Sequence, residues 1–189
     1  MNGKTPQPNI ILVGLRTSGK STVGKLLAAR ANRPFIDLDQ HIVQAAGLGS
    51  VRAIFEQEGE QGFRARESET LKHVLKLDSH IIALGGGTPT APGAAQLLEH
   101  ARDTHLAHII YLRWPWHTLA DRLTEAARAD RPTLADTNSP AGEMQAVFQA
   151  RDPLYRTLAS TIIEPETHQD AHNVADRVWQ VCTALNKPR

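Results

Sequence analysis

The chain is short of cysteine, of unbalanced charge and of long apolar runs, and each shortage removes a class of function. Cys182 is the one cysteine among 189 residues, so no internal disulfide can form and a reducing compartment suits the chain. Basic and acidic residues number 21 and 20, a net charge of +1, which gives no footing for a nucleic-acid surface. No apolar run approaches the ~18 residues of a membrane span. The N-terminal stretch Met1 to Pro8 lacks the apolar centre of a signal peptide. A cytoplasmic protein is therefore expected. There is no internal repeat, and no linker divides the chain, so residues 1–189 read as one domain. The Asn-Lys-x-Asp motif with which GTPases read their base is also missing.

What is present is organised around Gly14 to Ser21, which reads Gly-Leu-Arg-Thr-Ser-Gly-Lys-Ser. This is the phosphate-loop pattern of Gly, four residues, Gly-Lys and then Ser or Thr. Ile10 to Val13 precede it as a buried strand, and Ser21 to Arg30 follow as a helix-forming segment. Loop amides and a positive helix end together make a nest for phosphate oxygens. Gly14, Thr17, Ser18, Gly19, Lys20, Ser21 and Thr22 form the expected nucleotide contact. Lys20 is expected to stand exposed to the β- and γ-phosphates, and the Ser21 hydroxyl to ligate Mg²⁺.

Further along, strands alternate with helices. Apolar strands are predicted at about 9–14, 35–39, 80–84, 108–112 and 160–163. Helices are predicted to about Arg30, after Asp39, over 51–58 with Ser50 as cap, over 60–77, 92–101, Pro115 to about Arg128, and 171–185. That alternation predicts an α/β fold, a parallel sheet wound on both faces with ligands at the strand C-termini. Residues 1–8 and 186–189 are expected to fray. The polar segment from about 124 to 140 carries Arg131, Pro132 and Pro140. It reads either as a plain surface loop or as a lid closing over a ligand.

Several residues could complete a site. Asp37 and Asp39 end the second strand, where alternation puts both on one face; that strand is expected beside the first, bringing the acids near Ser21. One acid could order a Mg²⁺ water while the other touches an acceptor hydroxyl. Gly85, Gly86 and Gly87 end the third strand, either as a loose turn or as a place where backbone meets ligand. Arg64 with Glu67 reads as a surface helical ion pair or as part of a carboxylate site, and Arg151 is equally open. The pairs His105/His108 and His168/His172 have helical spacing but no cysteine among them, and neither is expected to make a metal site.

Taken in order, Gly14 to Ser21, Asp37-Leu-Asp39, Gly62-Phe-Arg64 with Glu67, Gly85 to Gly87, Arg131-Pro-Thr-Leu134 and Arg151-Asp-Pro-Leu-Tyr155 resemble the shikimate kinase family over about residues 9–182. The resemblance implies a three-layer α/β/α P-loop fold with a five-stranded parallel sheet, like that of the nucleoside monophosphate kinases. It implies a monomeric enzyme that uses ATP and Mg²⁺ to phosphorylate the 3-hydroxyl of shikimate in aromatic amino-acid biosynthesis. Carried over by position, Arg64 and Arg151 would hold the shikimate carboxylate, with Glu67, Gly85, Gly86 and Gly87 around the substrate. Asp39 would contact the reacting hydroxyl and Asp37 a Mg²⁺ water. Arg131 would act on the phosphates, while Arg122 and Gln169 would lie near the adenine. A gluconate-type kinase and a nucleotide-binding module without catalysis are the rival readings.

Overall fold

The computed structural model describes residues 7–123 and 139–185. The expectations of fraying for residues 1–6 and 186–189, and of Arg131 within a lid, lie outside the described residues; Gln7 and Pro8, also expected to fray, are instead tied by hydrogen bonds to Ser79 and Arg33. Five strands form one parallel sheet: β1 (Asn9–Val13), β2 (Phe35–Asp37), β3 (Ile81–Ala83), β4 (Ala107–Leu112) and β5 (Thr161–Ile163). The spatial order is β2-β3-β1-β4-β5. Ile11 stands opposite Ile82 on one side and Ile109 on the other. All five residues of β1 are buried, as a central parallel strand covered on both faces requires.

The helices are α1 (Lys20–Ala31), α2 (Leu38–Ala46), α3 (Val51–Val74), α4 (Ala94–Asp103), α5 (Trp116–Asp121), α6 (Pro140–Leu158) and α7 (Ala171–Leu185). A 3₁₀ turn covers Thr88–Thr90. α1 packs with α7, whereas α4 and α5 pack on α6, so the sheet is covered on both faces. Ser50 caps α3 as expected, its hydroxyl accepting from the Ala53 amide at 3.1 Å. α3 is two helices joined at Gly59, whose φ of 71° and ψ of −179° break the helical run where the sequence changes segment.

Four expectations are corrected. β2 does not lie beside β1, because β3 is inserted between them. β2 also ends at Asp37; Asp39 belongs to the first turn of α2, so the two acids share no strand face. The physical cause is the cap at Asp37, whose carboxylate accepts from the Gln40 amide and starts the helix there. The helix after Pro115 stops at Asp121 rather than continuing. Finally, Arg151-Asp-Pro153 is no helix junction. α6 begins at the Ser139 cap and runs through Pro153 to Leu158, held by Tyr155 and Leu158, which are both fully buried. Burial of that face outweighs the roughly 3 kcal/mol penalty of an interior proline.

Candidate active site

Residues 14–19 join the C-terminal end of β1 to α1, and three consecutive residues tie this loop to its surroundings. Arg16 Nη2 donates to Glu143 Oε1 on α6 at 2.6 Å, and both side chains are nearly buried. Thr17 Oγ1 donates to the Leu119 carbonyl of α5 at 2.9 Å. The Ser18 carbonyl accepts from Trp114 Nε1 at 3.1 Å. Thr17 sits at φ 63°, a region that β-branched residues seldom enter. Such strain costs about 1–3 kcal/mol, and the bond to Leu119 helps to hold it.

Lys20 does not stand exposed, which corrects the sequence expectation. It is 8% exposed, and its ammonium donates to the Leu15 carbonyl at 2.8 Å and to Ser18 Oγ at 3.3 Å. A buried ammonium needs acceptors, and the loop's own backbone supplies them. Ser21 Oγ donates to Asp37 Oδ2 in a short hydrogen bond. α1 brings Ser21 to β2 by leaning over β3; a Cβ added at Gly24 would strike the Phe35 ring of β2. So Asp37 reaches Ser21 as expected, though not through a neighbouring strand.

The glycine turn after β3 is where the parts meet. A side chain at Gly85 would run into Asp39, Thr88 and Glu67. One at Gly86 would press on the backbone of the phosphate loop, 2.9 Å from the Arg16 amide nitrogen. One at Gly87 would overlap the Arg64 guanidinium. Three successive positions thus face the acid, the phosphate loop and an arginine. The Gly86 carbonyl accepts from Arg151 Nη1 at 2.8 Å and from the Tyr155 hydroxyl at 2.6 Å. Arg64 and Arg151 both line an open cleft of about 880 Å³, together with Gln61, Ser68, Thr90 and Pro92.

Beneath the cleft, Glu67 is 1% exposed and accepts from Arg64 Nη1 and from Thr88 Oγ1, each at 2.6 Å. Burial pushes the Glu67 carboxyl up, while Arg64 and Thr88 oppose that shift. Arg64 stays firmly charged, since Glu67 and Glu60 outweigh the cost of its burial. On α6, Asp152 beside Arg151 accepts from Arg113 through both oxygens, at 2.7 and 3.1 Å, and from the Tyr111 hydroxyl at 2.9 Å. Burial alone would raise the Asp152 carboxyl, but these bonds hold it below the ordinary carboxylate range. The arrangement combines a phosphate nest, a carboxylate–hydroxyl pair at its edge, and a cleft with two arginines placed for an anionic acceptor.

The profile of the shikimate kinase family matches residues 16–183. The shikimate kinase of Burkholderia thailandensis is 38% identical over 164 residues, 87% of this chain and 84% of its own. That of Cupriavidus pinatubonensis is 39% identical over 162 residues, 85% of this chain and 79% of its own. The chain belongs to the shikimate kinase family. A solved shikimate kinase from Acinetobacter baumannii, in complex with shikimate, superposes with a TM-score of 0.85 at 31% identity, covering 96% of each chain. The fold is accordingly the nucleoside monophosphate kinase-like P-loop fold that the sequence pattern implied. The activity is that of the family, ATP-dependent phosphorylation of shikimate in aromatic amino-acid biosynthesis.

Within this shikimate kinase framework the expected residues fall into three groups. Arg64, Glu67, Gly85, Gly86, Gly87, Asp39 and Arg151 gather at the glycine turn. Gly14, Thr17, Ser18, Gly19, Lys20, Ser21 and Asp37 build the phosphate side, with Thr22 exposed on the first turn of α1. Arg122 and Gln169 stand apart from both. The Arg122 guanidinium lies 3.7 Å from the centroid of the Trp114 ring, just past α5. Gln169 Oε1, in the turn before α7, accepts from the Glu166 amide and from Arg177 Nη1, each at 3.2 Å. Sequence reasoning missed Thr88, Arg16 and Glu143, and gave Tyr155 no role of its own. Arg16 could have been noticed as a charge inside the phosphate loop. Its partner, 127 positions away, could not.

Proposed function

We propose that the chain transfers the γ-phosphoryl group of ATP to the 3-hydroxyl of shikimate, giving shikimate 3-phosphate and ADP. The observation that carries this reading is the glycine turn, where Asp39, the phosphate loop and Arg64 each contact one of three consecutive glycines. An acceptor whose carboxylate lies against Arg64 and Arg151 has its reacting hydroxyl beside Asp39 and within reach of a phosphate in the loop. Guanidinium forks suit a carboxylate because each can donate two parallel bonds to it.

Phosphoryl transfer through a loose transition state asks for positioning and charge neutralisation rather than covalent help from the protein. Lys20 exchanges its loop acceptors for phosphate oxygens. Asp39 orients the acceptor hydroxyl and takes its proton as the bond to phosphorus forms. Arg131 takes its role on the transferring group from the family pattern alone. Arg122 lies along the adenine, with Gln169 near the base.

Mg²⁺ fits the oxygen pair at the loop edge. The Ser21 hydroxyl and the Asp37 carboxylate already meet there, and Mg²⁺ favours one or two protein oxygens plus waters and phosphates. When bound, the ion would supply positive charge against the phosphates. We read the acting form as a monomer, as the family resemblance implies. Among the described residues no helix is long and apolar enough to cross a membrane. A cytoplasmic site of action agrees with the single cysteine.

ADP release measured with ATP, Mg²⁺ and either shikimate or gluconate tests the acceptor. Shikimate is expected to sustain turnover and gluconate to give none. Turnover with gluconate alone would overturn the assignment, and nucleotide binding without turnover on either acid would favour a non-catalytic module.

A further inference from the structure

We infer that Trp114 is a positioning residue that sets the phosphate loop and the adenine-side arginine in register with each other. This rests on the reading of Arg122 as an adenine contact. Trp114 follows β4 and is 3% exposed. Two different parts of its indole are used. The ring edge donates from Nε1 to the Ser18 carbonyl inside the phosphate loop, at 3.1 Å. The ring face carries the Arg122 guanidinium at 3.7 Å from its centroid. One rigid side chain with two rotatable bonds therefore fixes the distance between the place that receives phosphates and the place that receives the base.

The geometry is costly to disturb from either side. Ser18 is itself buried, and a buried acceptor that loses its donor keeps the cost of its desolvation. Arg122 is half-buried, and burial lowers its guanidinium pKa. A charge in that setting gains from an aromatic face beneath it. Indole offers the strongest such face and also carries the one N–H; phenylalanine keeps a face and drops the donor, and leucine drops both. Arg16 and Thr17 hold the loop through Glu143 and Leu119, so loss of the Trp114 bond loosens the loop without releasing it.

The test compares affinity for ATP with affinity for inorganic tripolyphosphate, which presents phosphates without a base. Three variants of the intact enzyme are needed: Arg122→Ala, Trp114→Phe and Trp114→Leu. Trp114→Phe should weaken ATP and tripolyphosphate by the same factor, about 3–10-fold, leaving their ratio and the shikimate KM as they were. Trp114→Leu should weaken both and also lower the preference for ATP over tripolyphosphate to the level of Arg122→Ala. If Arg122→Ala leaves that preference untouched, the adenine reading fails, while the loop half of the inference is still decided by Trp114→Phe. Unchanged tripolyphosphate affinity in Trp114→Phe, or an unchanged preference in Trp114→Leu alongside a lowered one in Arg122→Ala, would reduce Trp114 to core packing.

A second measurement leaves Trp114 in place. With Trp116→Phe and Trp179→Phe, Trp114 is the sole tryptophan. Its emission should change on adding ATP and, to a smaller extent, on adding tripolyphosphate. Emission indifferent to both ligands at saturating concentration would overturn the inference even if the leucine variant did not fold.

Discussion

Glu67 Oε2 lies 2.6 Å from Arg64 Nη1, three residues back on the same helix, and its other oxygen accepts from Thr88 at the same distance. The spacing is that of an ordinary surface pair, yet Glu67 is 1% exposed. Surface pairs of this kind contribute a few tenths of a kcal/mol. A buried carboxylate bonded on both sides instead fixes the guanidinium above it. Glu67→Gln keeps the volume and removes the charge that holds Arg64. The expected outcome is a shikimate KM raised on the order of 10–100-fold, because small misplacements of a substrate clamp are costly. The ATP KM should move less than twofold. Steady-state kinetics with each substrate varied in turn check both, and equal shifts in the two KM values would mean general loosening of the site.

Gly87 makes the same clamp sensitive to a single methyl group. A Cβ there would overlap the Arg64 guanidinium. Gly87→Ala should therefore displace Arg64 and raise the shikimate KM about tenfold or more while the thermal midpoint stays close to that of the parent. Calorimetry and shikimate saturation curves measure the two quantities. A large drop in the midpoint with normal shikimate binding would show that the turn needs glycine for folding instead.

The sheet and the phosphate loop were legible because their signals are local. Ile10 to Val13, the glycine spacing and Ser21 lie within a few residues of one another. The alternation of strands and helices announced the fold class, but strand order is a non-local property, and β3 entered between β1 and β2 without any sign in β2 itself. Asp39 was misplaced for a subtler reason. A β2 continuing past Asp37 and a helix capped by Asp37 have the same composition, and the Gln40 amide decides between them. α6 stayed hidden behind Pro153, whose local penalty is visible in sequence, whereas the burial of Tyr155 that overrides it is not. The site residues were reached through motif order. What each one touches, such as Arg16 on Glu143 or Trp114 on Ser18, is set by tertiary packing.

Tyr155 gives the protein an alkaline limit. Burial pushes its phenol from the usual 10.0 up to about 12, with its hydroxyl donating to the Gly86 carbonyl. The folded state thus keeps a proton that the unfolded chain releases. Stability from this group is complete below about pH 10, falls as pH rises through that window, and is lost above about pH 12. The slope should be on the order of 1.4 kcal/mol per pH unit for one group. Tyr111, raised in the same direction by burial and its bond to Asp152, adds to the fall. Urea unfolding between pH 9 and 12 should show a shallower decline in Tyr155→Phe than in the parent, after a loss at neutral pH of about 1 kcal/mol for the missing hydrogen bond. Parallel curves for the two proteins would remove Tyr155 as the source.

Asp37 and Asp39 differ by two positions and lie in different elements, so their variants should fail differently. Asp37 ends β2, accepts from Ser21 and caps α2 through the Gln40 amide. Asp39 lies in the first turn of that helix, against the space that Gly85 leaves open beside Glu67 and Thr88. Asp37→Asn keeps a cap but weakens the oxygen pair offered to Mg²⁺. It should raise the Mg²⁺ concentration for half-maximal rate and leave shikimate binding within a few-fold. Asp39→Asn removes the group proposed to face the acceptor hydroxyl. Proton acceptance by a positioned carboxylate contributes about 10²–10⁴ in rate. A loose transition state, which develops little charge on the hydroxyl early on, puts the expected loss toward the lower end of that range. Shikimate binding should weaken as well, while the Mg²⁺ requirement stays where it was. Rate measured against Mg²⁺ and against shikimate separates the two acids. A shifted Mg²⁺ requirement in Asp39→Asn, with a normal one in Asp37→Asn, would reverse the assignment.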